Sequence, residues 1–99
     1  MLSTTPSTEQ PFVEELPRLL AAREMSLRAL ARQVGVTDAH LSRVLRRVGY
    51  KTPSGELAGR VAEALGLPID YFSEYREAFV INKIKSDTRL RNELYNRLR

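Results

Sequence analysis

The sequence predicts an all-α fold: a compact bundle of five helices followed by a C-terminal helical extension. Three observations predict it. Apolar residues recur at i, i+3 and i+4 along most of the chain, as in Leu27, Leu30, Ala31, Val34 and again in Leu57, Val61, Ala62, Leu65. Helix-starting residues stand just before such stretches, and glycines at 35 and 66 stand just after two of them. At 99 residues with 42% hydrophobic content, the chain is one small domain with a modest core. The expected layout is an N-terminal arm over residues 1–10, rich in Ser, Thr and Pro, a helical domain over 11–72, and an extension over 73–99.

The first helix is expected from about Phe12 to Glu24, with Phe12, Leu16, Leu19 and Leu20 inward and Val13 at the edge. Pro17 removes a backbone donor, so this helix either begins late or bends. Ser26 is a good cap for the second helix, which ends at Gly35, where the left-handed conformation costs glycine little. Val36 plugs the turn into the core. Thr37 caps the third helix, whose inward residues are Leu41, Val44 and Leu45. After a loop over residues 48–52, Thr52-Pro53 reads as the start of the fourth helix, which ends at Gly66. A short fifth turn is expected around Asp70 to Phe72. Beyond it, Tyr75, Phe79, Val80 and Ile84 fit a helix, although the β-branched cluster at residues 78–82 also fits a short strand. Helix is the favoured reading. Ser86-Asp87 then caps a last helix bearing Leu90, Leu94, Tyr95 and Leu98.

Two short helices joined by a tight turn over residues 26–46 make a helix-turn-helix, whose second helix fits the major groove of DNA. Charge agrees with that reading. Residues 27–51 carry Arg28, Arg32, Arg43, Arg46, Arg47 and Lys51 against Asp38 alone, while residues 1–26 and 52–75 are each net acidic. The net charge of +4 is therefore concentrated where a polyanion would dock, with a second basic stretch over 76–99.

Several function classes are excluded on composition. With no cysteine, disulfides, thiolate metal sites and thiol chemistry are out, which suits a reducing cytoplasm. No apolar run approaches the roughly 20 residues of a membrane span, and the first ten residues do not read as a secretory signal. A single histidine makes a metal role for His40 unfavourable. There is no nucleophile–base pair, no paired-carboxylate site and no phosphate loop, so the chain reads as a binding protein needing no cofactor, not an enzyme.

Residues 12 to about 72 resemble the λ-repressor-like, XRE-type helix-turn-helix regulators. The resemblance rests on Ser26, Leu30-Ala31, Val34-Gly35-Val36-Thr37, Leu41-Ser42 and Val44-Leu45, then Leu57-Ala58 and Arg60-Val61-Ala62-Glu63-Ala64-Leu65-Gly66-Leu67-Pro68 with Tyr71-Phe72. It implies a compact helical bundle that binds operator DNA, usually as a dimer. By position it implies that Thr37 caps the recognition helix and touches phosphate, that Asp38, Ala39 and His40 look into the groove, and that Ser42 and Arg43 follow one turn later. The chain departs from the pattern at Leu27, where a polar residue is usual and Arg28 would serve instead, and at Asp38, where glutamine or serine is common.

Chemistry assigns roles within that set. Arg43 matches guanine O6 and N7 as a two-pronged donor, worth roughly 1–3 kcal/mol of discrimination. Ala39 offers a methyl group to thymine, and His40 a ring nitrogen to a base edge or a phosphate. Ser42 either bonds DNA or packs on the second helix. Asp38 either caps its own helix or accepts from cytosine N4. Arg28, Arg46, Arg47 and Lys51 read as phosphate clamps that hold register without reading sequence.

One such domain covers half an operator, so a pseudo-palindrome read by two copies is expected. The stripe of Phe79, Val80, Ile84, Leu90, Leu94 and Leu98 either makes that homodimer or folds back to complete the core. The resulting reading is a cytoplasmic, nucleoid-associated regulator, most simply a repressor of phage-immunity or chromosomal type. The alternative is an antitoxin or adaptor that holds a protein partner through residues 73–99.

Overall fold

A computed structural model describes residues 9–46 and 52–99. Among them the chain forms six α-helices and no strand: α1 (Phe12–Ala22), α2 (Leu27–Val34), α3 (Asp38–Leu45), α4 (Gly55–Ala64), α5 (Ser73–Ser86) and α6 (Thr88–Leu98). The bundle core is Phe12, Leu16 and Leu20 of α1, Leu30, Ala31 and Val34 of α2, Leu41 and Val44 of α3, and the inward face of α4, closed by Phe72. These are the positions that helical periodicity sends inward. Leu19 and Leu45, also expected inward, are half-buried at the edge.

α1 begins at Phe12 with Pro17 inside it on the exposed side, so a late start is not the solution the chain adopts. Proline there leaves one carbonyl of the previous turn without its intrahelical donor, and solvent can satisfy that carbonyl. The helix stops at Ala22, before the expected Glu24, because Glu24 takes the left-handed conformation with φ 51°. Its N–H bonds the Ala21 carbonyl and the Met25 N–H bonds the Leu20 carbonyl, a Schellman closure. The same closure ends α4 with Gly66 in the left-handed position, where glycine is the natural occupant. The Arg23 guanidinium then donates to the Leu65 carbonyl at 3.1 Å and ties the two helix ends together.

The expected start of the fourth helix at Thr52-Pro53 is corrected. Ser54 is the cap, its hydroxyl accepting from the Leu57 N–H at 3.0 Å, and Pro53 is buried just ahead of it. Serine is the better N-cap of the two residue types, and the helix starts after it, with Pro53 ahead of the cap and not in the first turn. The short fifth turn expected around Asp70 to Phe72 is present, with residues 69–70 forming a turn, Phe72 buried at the flank of α5, and the next helix running from Ser73. The strand alternative at residues 78–82 is not adopted.

α5 lies close on α4 because α4 offers two glycines to it. A Cβ on Gly55 would stand 2.5 Å from that of Ala78, and one on Gly59 would stand 3.0 Å from the rings and chains of Tyr75 and Ile69. Aromatic contacts continue the seam: Phe12 and Phe72 have ring centroids 5.0 Å apart, and Tyr71 meets Phe72 edge-on at 5.1 Å. The first turns of α5 are also bonded to the start of α1. Glu74 accepts from the Phe12 N–H at 3.0 Å, Ser73 N–H donates to the Gln10 carbonyl, and Arg76 donates to the carbonyls of Glu9, Asp70 and Tyr71. Glu74 thereby supplies the side-chain cap that Pro11, at the α1 N-cap, lacks.

Asp87 caps α6 as expected, accepting from the Leu90 N–H at 3.0 Å. α6 buries no residue fully: Leu90 and Leu94 are half-buried and Leu98 is 80% exposed.

Candidate nucleic-acid interface

The site is built on α2, the turn and α3. Ser26 accepts from the Ala29 N–H at 3.0 Å and fixes the start of α2. Gly35 ends it with φ 87°, and the Gly35 and Val36 N–H groups both bond the Ala31 carbonyl. Thr37 then starts α3, its hydroxyl accepting from the His40 N–H at 3.0 Å. Three local devices, a cap, a left-handed glycine and a second cap, thus set the angle between the two helices.

On α3 the two faces separate cleanly. Leu41 and Val44 are buried. Ala39, Ser42, Arg43 and Arg46 follow at spacings of three and four and form the opposite stripe, with Ala39, Arg43 and Arg46 exposed and Ser42 half-buried. His40 is half-buried at one flank of the stripe, and Asp38 is exposed at the other. Neither Arg43 nor Arg46 forms an ion pair among the described residues. Arg47 and Lys51 lie outside the described residues.

At the corner between α2 and α3 an open cleft of about 460 Å³ is lined by Arg28, Ala31, Arg32, Val36, Thr37 and Asp38. Asp38 sits in the first turn of α3, where the helix dipole favours an acid. Its carboxylate does not supply the N-cap hydrogen bond, which comes from Thr37. Instead Oδ2 stands 3.5 Å from Nε of Arg28, the residue expected to clamp phosphate.

These helices match a known pattern. A family model described as helix-turn-helix matches residues 18–72, more than half of the chain. The chain belongs to the λ-repressor-like, XRE-type helix-turn-helix family. It is accordingly a DNA-binding transcription regulator in kind. No curated protein and no solved structure matches it. No helix among the described residues is long and apolar enough to cross a membrane.

The helix-turn-helix unit has one support that local sequence reading missed. Arg60 of α4 reaches across to the end of α2 and donates a hydrogen bond to the Val34 carbonyl. A Cβ on Gly35 would stand 3.1 Å from the same guanidinium nitrogen. A cation at a helix C-terminus satisfies a carbonyl that the helix leaves open and complements its dipole. Arg60 lies within the family-like wording of α4, but nothing in its own neighbourhood points 26 residues back to Val34.

Proposed function

We propose that the chain is a repressor that binds a pseudo-palindromic operator as a homodimer, laying α3 in the major groove of each half-site. The observation that carries this reading is the outward stripe of Ala39, Ser42, Arg43 and Arg46 on a helix whose other face is locked into the core. Arg43 is exposed and without an ion-pair partner among the described residues, as a base-reading guanidinium must be before it docks. Ala39, His40 and Ser42 flank it on the groove side, and Thr37 at the helix start meets a phosphate. Arg46, Arg47 and Lys51 hold the backbone.

The tail supplies the second copy. Phe79 and Val80 are each more than half exposed, and Leu98 is 80% exposed, on helices that bury nothing fully. Together with Ile84, Leu90 and Leu94 they offer apolar surface of the kind that pairs two copies. The start of α5, by contrast, serves the bundle through Tyr75, Glu74 and Arg76. Repression needs only occupancy of the promoter, which such a dimer achieves in the cytoplasm without a cofactor.

Footprinting on the DNA upstream of the protein's own gene tests this. The expected result is one protected site with two halves one helical turn apart, about 34 Å, and lowered transcription from the promoter it overlaps. Absence of any protected site at moderate salt contradicts the reading.

A further inference from the structure

Two arginines of α2 lie one turn apart in the cleft at the helix-turn-helix corner, and they are not equivalent. Arg28 has Nε 3.5 Å from Oδ2 of Asp38, whereas Arg32, in the last turn of α2, is exposed and in no ion pair among the described residues. Both partners of the Arg28–Asp38 pair are well exposed, with side-chain accessibilities of 78% and 48%, so the pair is modest in strength and a closely seated phosphate can displace the carboxylate. It bridges the first turn of α2 and the first turn of α3, so it lies at the face on which the proposed DNA contact is made.

We propose that Asp38 is a specificity-determining residue that works by holding Arg28 out of indiscriminate phosphate contact, leaving Arg32 as the cation that meets the backbone at this corner. The proposal rests on the DNA-binding reading and names how that interface restrains itself. Phosphate contacts supply essentially all of non-specific affinity. An arginine neutralised by its own carboxylate contributes little to that affinity. A phosphate displaces the carboxylate only where the duplex is seated closely enough to compensate for breaking the pair. The device lowers binding to the many wrong sites more than to the right one, which is a form of negative selection among ligands.

The test uses the full chain and a duplex of random sequence, with affinity measured over a range of salt. Arg32→Ala should weaken binding and flatten the dependence of log affinity on log salt by about one unit, the signature of one lost phosphate contact. Arg28→Ala should leave both nearly unchanged. Asp38→Asn should tighten binding about two- to fivefold, the range of an exposed ion pair, and steepen the salt dependence by about one unit. In the Arg28→Ala background that gain should shrink to the small effect of removing one negative charge. Circular dichroism melts of each variant confirm that the helices persist. An equal gain from Asp38→Asn in both backgrounds shows general charge repulsion and overturns the proposal. So does a loss on Arg28→Ala as large as that on Arg32→Ala. If the wild type shows no salt-dependent binding to any duplex, the DNA-binding reading falls with it; if it binds but the cycle is additive, only the latch falls.

Discussion

Arg60 on α4 donates to the backbone carbonyl of Val34 at the end of α2, and its guanidinium rests against Gly35, the turn residue of the helix-turn-helix. The end of α2 and the turn that leads into the proposed reading helix are therefore braced by a side chain outside the motif. Arg60→Ala leaves the Val34 carbonyl with only solvent as a partner and should lower stability by about 1–2 kcal/mol. Arg60→Lys should lose less, because the charge remains but the fork does not. Urea unfolding checks this, with a lower midpoint at unchanged slope expected. A variant as stable as the wild type would show that the contact contributes nothing.

The glycine at the turn responds to the same neighbour. Gly35→Ala places a methyl group on a backbone with φ 87° and 3.1 Å from Arg60. It should cost about 1–2 kcal/mol from the left-handed strain alone. The Arg60→Ala background should relieve only the crowding. Denaturant midpoints of the two single variants and the double variant separate these contributions.

The α4–α5 seam gives a sharper test of packing. A Cβ at Gly55 would overlap that of Ala78, so Gly55→Ala must push the helices apart, at about 1–3 kcal/mol. Ala78→Gly alone should cost about 1 kcal/mol through helix propensity. The double variant should be more stable than the sum of the two single losses implies, because the second change reopens the space. Strict additivity in thermal unfolding would mean that the seam is looser than the backbone spacing indicates.

Much of the site was legible in the sequence because its determinants are local. Ser26, Gly35 and Thr37 each act on backbone groups within a few residues, and each does what its type predicts. The inward positions of α1 to α4 followed from periodicity for the same reason. The remainder depends on residues far apart in the chain. Glu74 caps α1 across 62 residues, Arg60 caps α2 across 26, and Arg28 meets Asp38 across the turn. Charged residues on helix surfaces look alike in sequence whether they meet solvent or a distant carbonyl. The spacing of Gly55 and Gly59 is the visible signal of the α4–α5 approach, but helical glycine by itself reads first as a weakness. Thr52-Pro53 matches the usual helix-start pattern, and only the backbone shows that Ser54 takes the capping bond instead.

Acid stability should depend on Glu15. Its carboxylate accepts from Arg18 at 2.5 Å and from the Tyr71 hydroxyl at 2.8 Å, joining α1 to the segment before α5. The Arg18 hydrogen bond first, and that of Tyr71 second, hold the carboxyl below its ordinary value of 4.5. A carboxyl depressed in the folded state releases its proton more readily there than in the unfolded chain. Its contribution is thus present above the ordinary value and is lost as pH falls through the depressed one. Tyr71 is raised above 10.0, chiefly by bonding Glu15, so its contribution is present below that value and is lost as pH rises through the raised one. Glu15→Gln should flatten the acid limb of unfolding midpoints taken from about pH 7 to about pH 3. Tyr71→Phe should flatten the alkaline limb and part of the acid one. An acid limb unchanged in Glu15→Gln would assign the effect to other carboxyls.

The central claim, that α3 reads base edges through Arg43, is tested most directly by selecting bound duplexes from a randomised pool with wild type and Arg43→Ala in parallel. The wild type should enrich a two-fold related motif with guanine at one fixed position of each half. Arg43→Ala should lose the preference at that position and keep the rest, as the removal of one bidentate contact requires. The same motif enriched by both proteins, or none by the wild type, would contradict the claim.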